Sequence, residues 1–480
     1  MTNSALIARG LQSGEEYSGQ GPTQRRQRLF EKDVYVDGFD TAAVLQEVCH
    51  LQEEEEAEKE DQRVTDIPPL HSMQPLSQIP CDSLPSRTPQ IIPFAQLAIL
   101  PPPPPPPPPV KPEPGMSKED KKKLVKRNKR RIARANAQAA SGTNIKRHAQ
   151  KHIDKARETA ILIEHVAPPR GAWSGPKLGN EGSAEMSLDE VLAIDGMRLL
   201  EWDGSDSKII RDSNDIPLVL LGPRIKAQNW SDMVERISSL LEKAREDVHV
   251  DPQMLYQRQG NYVSLNAGIS LGGGQKRPSN LLPTSEHNGS ILEELQSNPD
   301  VVQVVGYCDY LFRSYFPKLH QLYKRVLETI IADDPSLKRN FPNSQLAGIR
   351  YNFKNAVDVP HRDFSNLFFG QCGIFACGNY NYKKGGHIVL WDLGLVIEFP
   401  PGTVVFIPDA LLLYSTTKIL TTETRSSMML YSAAALFRWV HNGGMTDRQF
   451  RENASDELKK EWNECRKNLN ITAMDILRDF

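Results

Sequence analysis

Residues 186–445 read as an α+β domain, a double-stranded β-helix (jelly roll) braced by helices, behind a long disordered tail. Three observations point there. After residue 345, short runs rich in β-branched and aromatic residues, such as LVIEF and TVVFIP, follow one another between Gly, Pro and Asp turns. Apolar residues at helical spacing fall mostly ahead of those runs. Residues 1–185 carry few apolar residues and no sustained period, too little to offset the entropy of ordering them.

The tail has three charged or stiff stretches. An acidic run spans 53–61, and nine consecutive prolines fill 101–109. Such a run forms a polyproline II rod without internal hydrogen bonds, a spacer or a ligand for a proline-binding domain. The basic segment 118–155 follows; its first part, Lys118 to Arg134, holds ten Lys or Arg against two acids. Lys121, Lys122, Lys123, Arg130 and Arg131 are its candidate contacts to DNA phosphates, its nuclear import signal, or both. A solvated linker is the plain alternative. The whole chain of 480 residues is 39% hydrophobic with a formal charge of −2, a near balance that hides this local asymmetry. Six cysteines, at 49, 81, 308, 372, 377 and 465, form no CxxC pair. That spacing fits a reduced intracellular protein and speaks against a zinc knuckle or disulfide frame. No apolar run reaches the length of a membrane span or a secretory leader. Soluble, nuclear localisation is the expectation.

Within the domain, RLLEWDG and KIIRDSNDIPLVLLGPR read as two strands joined by a turn. NWSDMVERISSLLEKARED places Met233, Ile237, Leu240 and Leu241 at helical spacing, with Asn229 or Ser231 as cap. ILEELQ is a helix, and PKLHQLYKRVLETIIADD another whose Leu319, Leu322, Tyr323, Val326, Leu327 and Ile330 make a face to pack on a sheet. QLAGIRYNFKNAV, NLFFGQCGIFACGNYN, HIVLWD, LVIEFPPG, TVVFIPDALLLYS and SSMMLYSAAALFRWV are read as strands. Thr446 and Gln449 make a capping box for one C-terminal helix, 446–480, docked outside the core.

The chemistry concentrates in 361–425. His361-Arg362-Asp363 is a His-x-Asp, and Arg425 follows some sixty residues on. Fe(II) held on one face by two imidazoles and a carboxylate keeps its other positions open for 2-oxoglutarate and O₂. A later arginine can clamp the far carboxylate of that co-substrate. No histidine lies between His387 and His441, and the third metal position falls on Tyr414, eleven residues before Arg425. His387 itself opens a strand, where packing or hydrogen bonding is the ordinary duty of a histidine; His320 and His441 read as packing or surface residues.

HRDFSN, KKGGHIVLWDLGLVIEFPPG, ETRSSMMLYSAAALFRWV, GISLGGGQKRPSNLL and PSLKRNFPNS together resemble the TET/JBP-like DNA dioxygenases (ten-eleven translocation and J-binding protein relatives), in the branch expanded in mushrooms. The resemblance covers roughly 195–445. It implies the jelly-roll fold, Fe(II) and 2-oxoglutarate, and oxidation of the methyl group of 5-methylcytosine or a related base flipped out of methylated DNA. It assigns the metal to His361 and Asp363, with Tyr414 standing where the family has a histidine. It assigns 2-oxoglutarate to Arg425. Asn366 matches the base-recognising Asn, while Ser365 replaces the His before it. Two readings stay open: a dioxygenase impaired at Tyr414, and a catalytically silent relative that binds DNA or a protein partner.

Overall fold

The computed structural model describes residues 33–35, 39–42, 87–100, 125–126, 129, 173–174, 184–212, 214–255, 259–272 and 275–478. The strands are β1 (Asp33–Tyr35), β2 (Arg198–Leu200), β3 (Lys208–Arg211), β4 (Pro217–Gly222), β5 (Ser264–Ser270), β6 (Ser279–Asn280), β7 (Gly348–Asn352), β8 (Cys372–Cys377), β9 (Ile388–Leu390), β10 (Leu395–Ile397), β11 (Val404–Ile407), β12 (Tyr414–Thr416) and β13 (Ser426–Tyr431). The helices are α1 (Phe94–Leu97), α2 (Leu188–Leu192), α3 (Trp230–Asp247), α4 (Glu286–Ser297), α5 (Pro299–Tyr315), α6 (Pro317–Asp333), α7 (Ala434–His441), α8 (Asp447–Asn453), α9 (Asp456–Lys467) and α10 (Leu469–Leu477).

Two sheets enclose the site. One has nine strands in the order β1-β3-β4-β11-β8-β13-β7-β5-β6, the other four in the order β12-β9-β10-β2. All pairings are antiparallel except β1 with β3 and β10 with β2. Alternation along each strand sends neighbouring residues to opposite faces. On β13, Met429 joins an inner core with Ile374, Val405, Ile407, Leu390, Ile397 and Tyr414, drawn from both sheets. Its neighbours Met428 and Leu430 join the outer core, where α3 to α6 pack. Val389 and Val396, on the far side of the small sheet, pack on Val191 of α2.

The helical stripe of α6 is buried as its spacing requires: Leu319, Leu322, Tyr323, Val326, Leu327 and Ile330 are all inside. Asn229 occupies the N-cap of α3 without a side-chain bond. The capping box of Thr446 and Gln449 is formed, with both reciprocal bonds.

Several strand readings are corrected. RLL and KII lie in different sheets, so the segment before residue 222 holds three strands. TVVFIPDALLLYS is two strands in opposite sheets. Pro408 ends β11, and its carbonyl accepts from Leu411 and Leu412 as the chain crosses over. Only 372–377 of NLFFGQCGIFACGNYN is a strand. After Ser432 the apolar period changes from two to between three and four, and AALFRWVH is helix α7. The run PDVVQVVGYCDYLFRSY forms α5, capped by Asn298 and opened by Pro299. The C-terminal segment is three helices rather than one, and α10 places Leu469, Ala473, Met474, Ile476 and Leu477 in the main core rather than outside it.

The domain also reaches further back than residue 186. Phe94 and Trp173 are core residues. β1 pairs with β3, and Thr41 N donates to Asp212. The boundary read at 185/186 is therefore too late for these pieces. The proline rod, the acidic run, and Lys121, Lys122, Lys123, Arg130 and Arg131 lie outside the described residues. Of the basic segment, Val125, Lys126 and Lys129 are described, all helical and exposed. Among the described residues no helix is long and apolar enough to cross a membrane.

Candidate functional site

A small polar cavity lies in the inner core, lined by Gln259, Tyr262, Arg350, Asn352, Asp358, His361, Asp363, Ile374, Tyr414, Ser427 and Met429. His361 and Tyr414 meet there because their main chains form a β-bridge. His361 N donates to Tyr414 O at 2.9 Å and Tyr414 N donates to His361 O at 3.0 Å. Their rings are 4.4 Å apart. Asp363, two residues on, is held by its own N–H bonding to Asp409 O at 2.9 Å. The three residues read as metal positions are thus brought together.

Their hydrogen bonds define what they can do. His361 Nδ1 lies 2.7 Å from Val359 O. A carbonyl can only accept, so Nδ1 carries a proton, and Nε2 is the ring nitrogen left to face Asp363 or a metal. That Nε2 is 3.9 Å from Asp363 Oδ2. The same Oδ2 accepts from Tyr414 Oη at 2.9 Å, and Oδ1 accepts from Gln259 Nε2 at 3.2 Å. Burial works to raise the Asp363 pKa, but His361, Arg350 and the Tyr414 and Gln259 bonds outweigh it and hold it below the usual carboxylate value. Burial first, then the charge of Asp363, push the Tyr414 phenol well above its ordinary value.

Tested as an iron centre, this donor set falls short. His361 and Asp363 are two suitable donors. The third is a neutral phenol whose O–H already donates to Asp363, and a neutral phenol is a weak ligand. Among the described residues no group of three His, Cys, Asp or Glu side chains is placed to hold a metal ion. His387 offers no substitute. It is fully buried away from the cavity with Nδ1 3.1 Å from Thr417 Oγ1, and burial lowers its pKa to about 4. The free space in the cavity, about 10 Å³ for the centre of a water-sized sphere, suits roughly one water. A dicarboxylic acid is far larger.

Arg425 lies on the inner face, two residues before Ser427 in the alternation, but does not line the cavity. It is 1% exposed, donates to Ala356 O, and stands 5.6 Å from the Phe399 ring and 5.9 Å from that of Tyr380. Its Nε has no hydrogen-bond partner. The guanidinium is thus buried with no acidic side chain hydrogen-bonded to it among the described residues, one carbonyl as acceptor and Nε unpaired.

Asn366 is turned inward. Its Nδ2 donates to Asp409 Oδ2 at 2.6 Å, and its main chain bridges Ala433. Burial and the neighbouring Asp363 raise the Asp409 pKa far above normal, so Asp363 carries the charge of the two.

Sequence reasoning missed the far wall of the cavity. Tyr262 donates to Asp358, whose other oxygen accepts from Thr416 Oγ1 at 3.0 Å. Arg350 Nε donates to Asn352 Oδ1 at 2.9 Å. The signal was present in β7: GIRYN puts a charge and an amide on one face of an otherwise apolar strand.

No family model matches the chain, and no curated protein matches it. Among solved structures it is similar to NgTET1 in complex with 5mC DNA, with a TM-score of 0.33 and 15% identity over 50% of this chain and 83% of that one. An oxidoreductase of the 2OG-Fe(II) oxygenase family from Burkholderia pseudomallei gives 0.26 and 14%, over 45% and 85%. The viral collagen prolyl hydroxylase of Paramecium bursaria chlorella virus-1 gives 0.16 and 13%, over 26% and 87%.

Proposed function

We propose that this chain is a nuclear DNA-binding protein built on a 2-oxoglutarate/Fe(II) oxygenase jelly roll, with its metal position capped so that it binds without oxidising. One observation carries the reading: Tyr414 Oη donates to the Asp363 carboxylate at 2.9 Å, where a third ligand would have to face the metal. The phenol closes on the carboxylate that iron would use, in a cavity with space for about one water. The run of motifs from HRDFSN to ETRSSMMLYS supports descent from DNA-modifying enzymes. The basic segment 118–155, with Lys121, Lys122, Lys123, Arg130 and Arg131, supports contact with the phosphate backbone.

The test uses the purified full chain. Fe(II) titration is expected to show no stoichiometric site, and methylated DNA with 2-oxoglutarate is expected to release no succinate above a no-enzyme control. DNA binding persists and weakens with salt. Stoichiometric iron with multiple turnovers of succinate overturns the reading.

A second reading, a slow dioxygenase acting on 5-methylcytosine, draws on two specific features. His361 already leaves Nε2 as the ring nitrogen to face a metal, and Arg425 has an unused buried Nε. Under it, Tyr414 turns away from Asp363, Arg425 binds the far carboxylate of 2-oxoglutarate, and Asn366 leaves Asp409 to read the base. Fe(II) would supply O₂ activation. Succinate release by the wild-type chain, abolished by His361→Ala, separates the two.

A further inference from the structure

A linear segment crosses the helical face of the domain in a groove made for it. Residues 87–98 lie against α6 and α10, with α1 touching both. Arg87 Nη2 meets Asp333 Oδ1 at 2.6 Å, and its guanidinium stands 5.9 Å over the Trp439 ring. Ile92 and His441 bond twice: Ile92 N donates to His441 O at 2.9 Å, and His441 Nδ1 donates to Ile92 O at 3.1 Å. Glycines lie beneath it, where the segment runs closest to the loop after α7. A Cβ on Gly443 would stand 2.5 Å from Gln90 Cγ, and one on Gly444 1.8 Å from Arg87 Nη1. Ile91 packs on the cluster of Met445, Phe450 and Trp462.

The anchor is Phe94, 3% exposed, with its ring 5.0 Å from Trp173, 5.9 Å from His441, 6.1 Å from Phe437 and 6.2 Å from Phe369. Trp173 arrives from the other side, its carbonyl accepting from Phe368 N at 3.1 Å. Two buried polar atoms in this clasp lack partners, Trp173 Nε1 and His441 Nε2, on rings 4.8 Å apart. Both are hydrated once the clasp opens, so their desolvation counts against the closed state. A fully satisfied core would carry no such bias toward opening.

We propose that residues 87–98 are a docked peptide ligand of this groove, held by their own side chains rather than by chain continuity. The recognition element is an arginine for Asp333, an Ile-Ile-Pro run, and an aromatic anchor that opens one helical turn. It combines main-chain pairing with a deeply buried aromatic anchor.

The test uses the full chain with two site-specific protease sites, one placed between residues 60 and 70 and one between residues 110 and 116. After both cuts, nothing covalent holds the piece carrying 87–98. It is expected to co-elute with the folded domain on gel filtration. Excess synthetic peptide of residues 87–98 is expected to displace it. The same peptide with Phe94→Ala should fail to do so even at about tenfold higher concentration, since loss of a buried aromatic anchor lowers affinity by more than a decade. A piece that elutes apart from a folded domain overturns the proposal. So does a Phe94→Ala peptide that displaces as well as the native one. Using peptide variants keeps the domain itself unaltered throughout.

Discussion

Replacing Tyr414 by Phe removes one oxygen and leaves the ring in place. The lost bond is the 2.9 Å donation to Asp363 Oδ2. A hydrogen bond to a charged group contributes about 1.5–3 kcal/mol. Two features place this one at the lower end. Gln259 still donates to Oδ1, and the cavity has space for about one water that can take over at Oδ2. The expected loss is about 1–2 kcal/mol at neutral pH. Its pH dependence follows from the Asp363 pKa, which is lower in the folded chain than its ordinary 3.8. A depressed carboxylate contributes stability that is complete above the unfolded value and disappears as pH falls through the folded one. The gap between wild type and Tyr414→Phe should therefore stay constant from neutral pH down to about pH 5 and close below the usual carboxylate range. Urea midpoints at constant m-value measure it. A variant as stable as wild type at neutral pH would show that the bond contributes nothing. A gap that persists unchanged in acid would assign the role of Tyr414 to packing, and the capped-carboxylate reading would fall with it.

Other outcomes follow from the same geometry. Tyr414→His is expected to gain a stoichiometric Fe(II) site, seen by calorimetric titration, and to lose it again when His361→Ala is added; no gain would mean that more than this one residue closes the site. Arg425→Met should change stability by less than about 1 kcal/mol despite the burial of Arg425, because no acid partner is left behind, and should abolish any binding of 2-oxoglutarate. Gly378→Ala is expected to cost more than about 3 kcal/mol by thermal unfolding: its φ is +124° and an added Cβ would stand 2.3 Å from Thr424 O. Changing Lys121, Lys122, Lys123, Arg130 and Arg131 to Gln should weaken DNA binding equally across sequences and flatten its salt dependence, whereas an unchanged slope would leave that segment to nuclear import alone.

What the sequence discloses here depends on the range of the cause. The meeting of His361, Asp363 and Tyr414 is legible because their spacing along one chain maps onto one bridge between a loop and β12. The α6 stripe and the Thr446 cap are legible because both are set within a turn or two of helix. The far wall of the cavity is not, since Tyr262, Arg350 and Asp358 come from separate strands and loops and meet only through sheet order. Strand limits fail where an apolar run continues past a change of sheet, as at Pro408, or past a change of period, as at Ala433. Phe94 and Trp173 are invisible for different reasons: Trp173 is a lone aromatic among Gly, Pro and Ser, with no periodicity to read, and Phe94 sits in an apolar run, IIPFAQLAIL, too short and too cut off by prolines to read as part of a distant core.

The paired main-chain bonds between His361 and Tyr414 make position 414 unusual in what it can tolerate. Both bonds belong to the backbone, so they do not depend on the chemistry of the side chain, and they fix where a side chain at 414 leaves the main chain beside Asp363. A change at this position is therefore felt at Asp363 as well as in stability, because the Tyr414 ring also fills buried space in the inner core. An imidazole placed at 414 would start from the same backbone and face the same carboxylate as the phenol does.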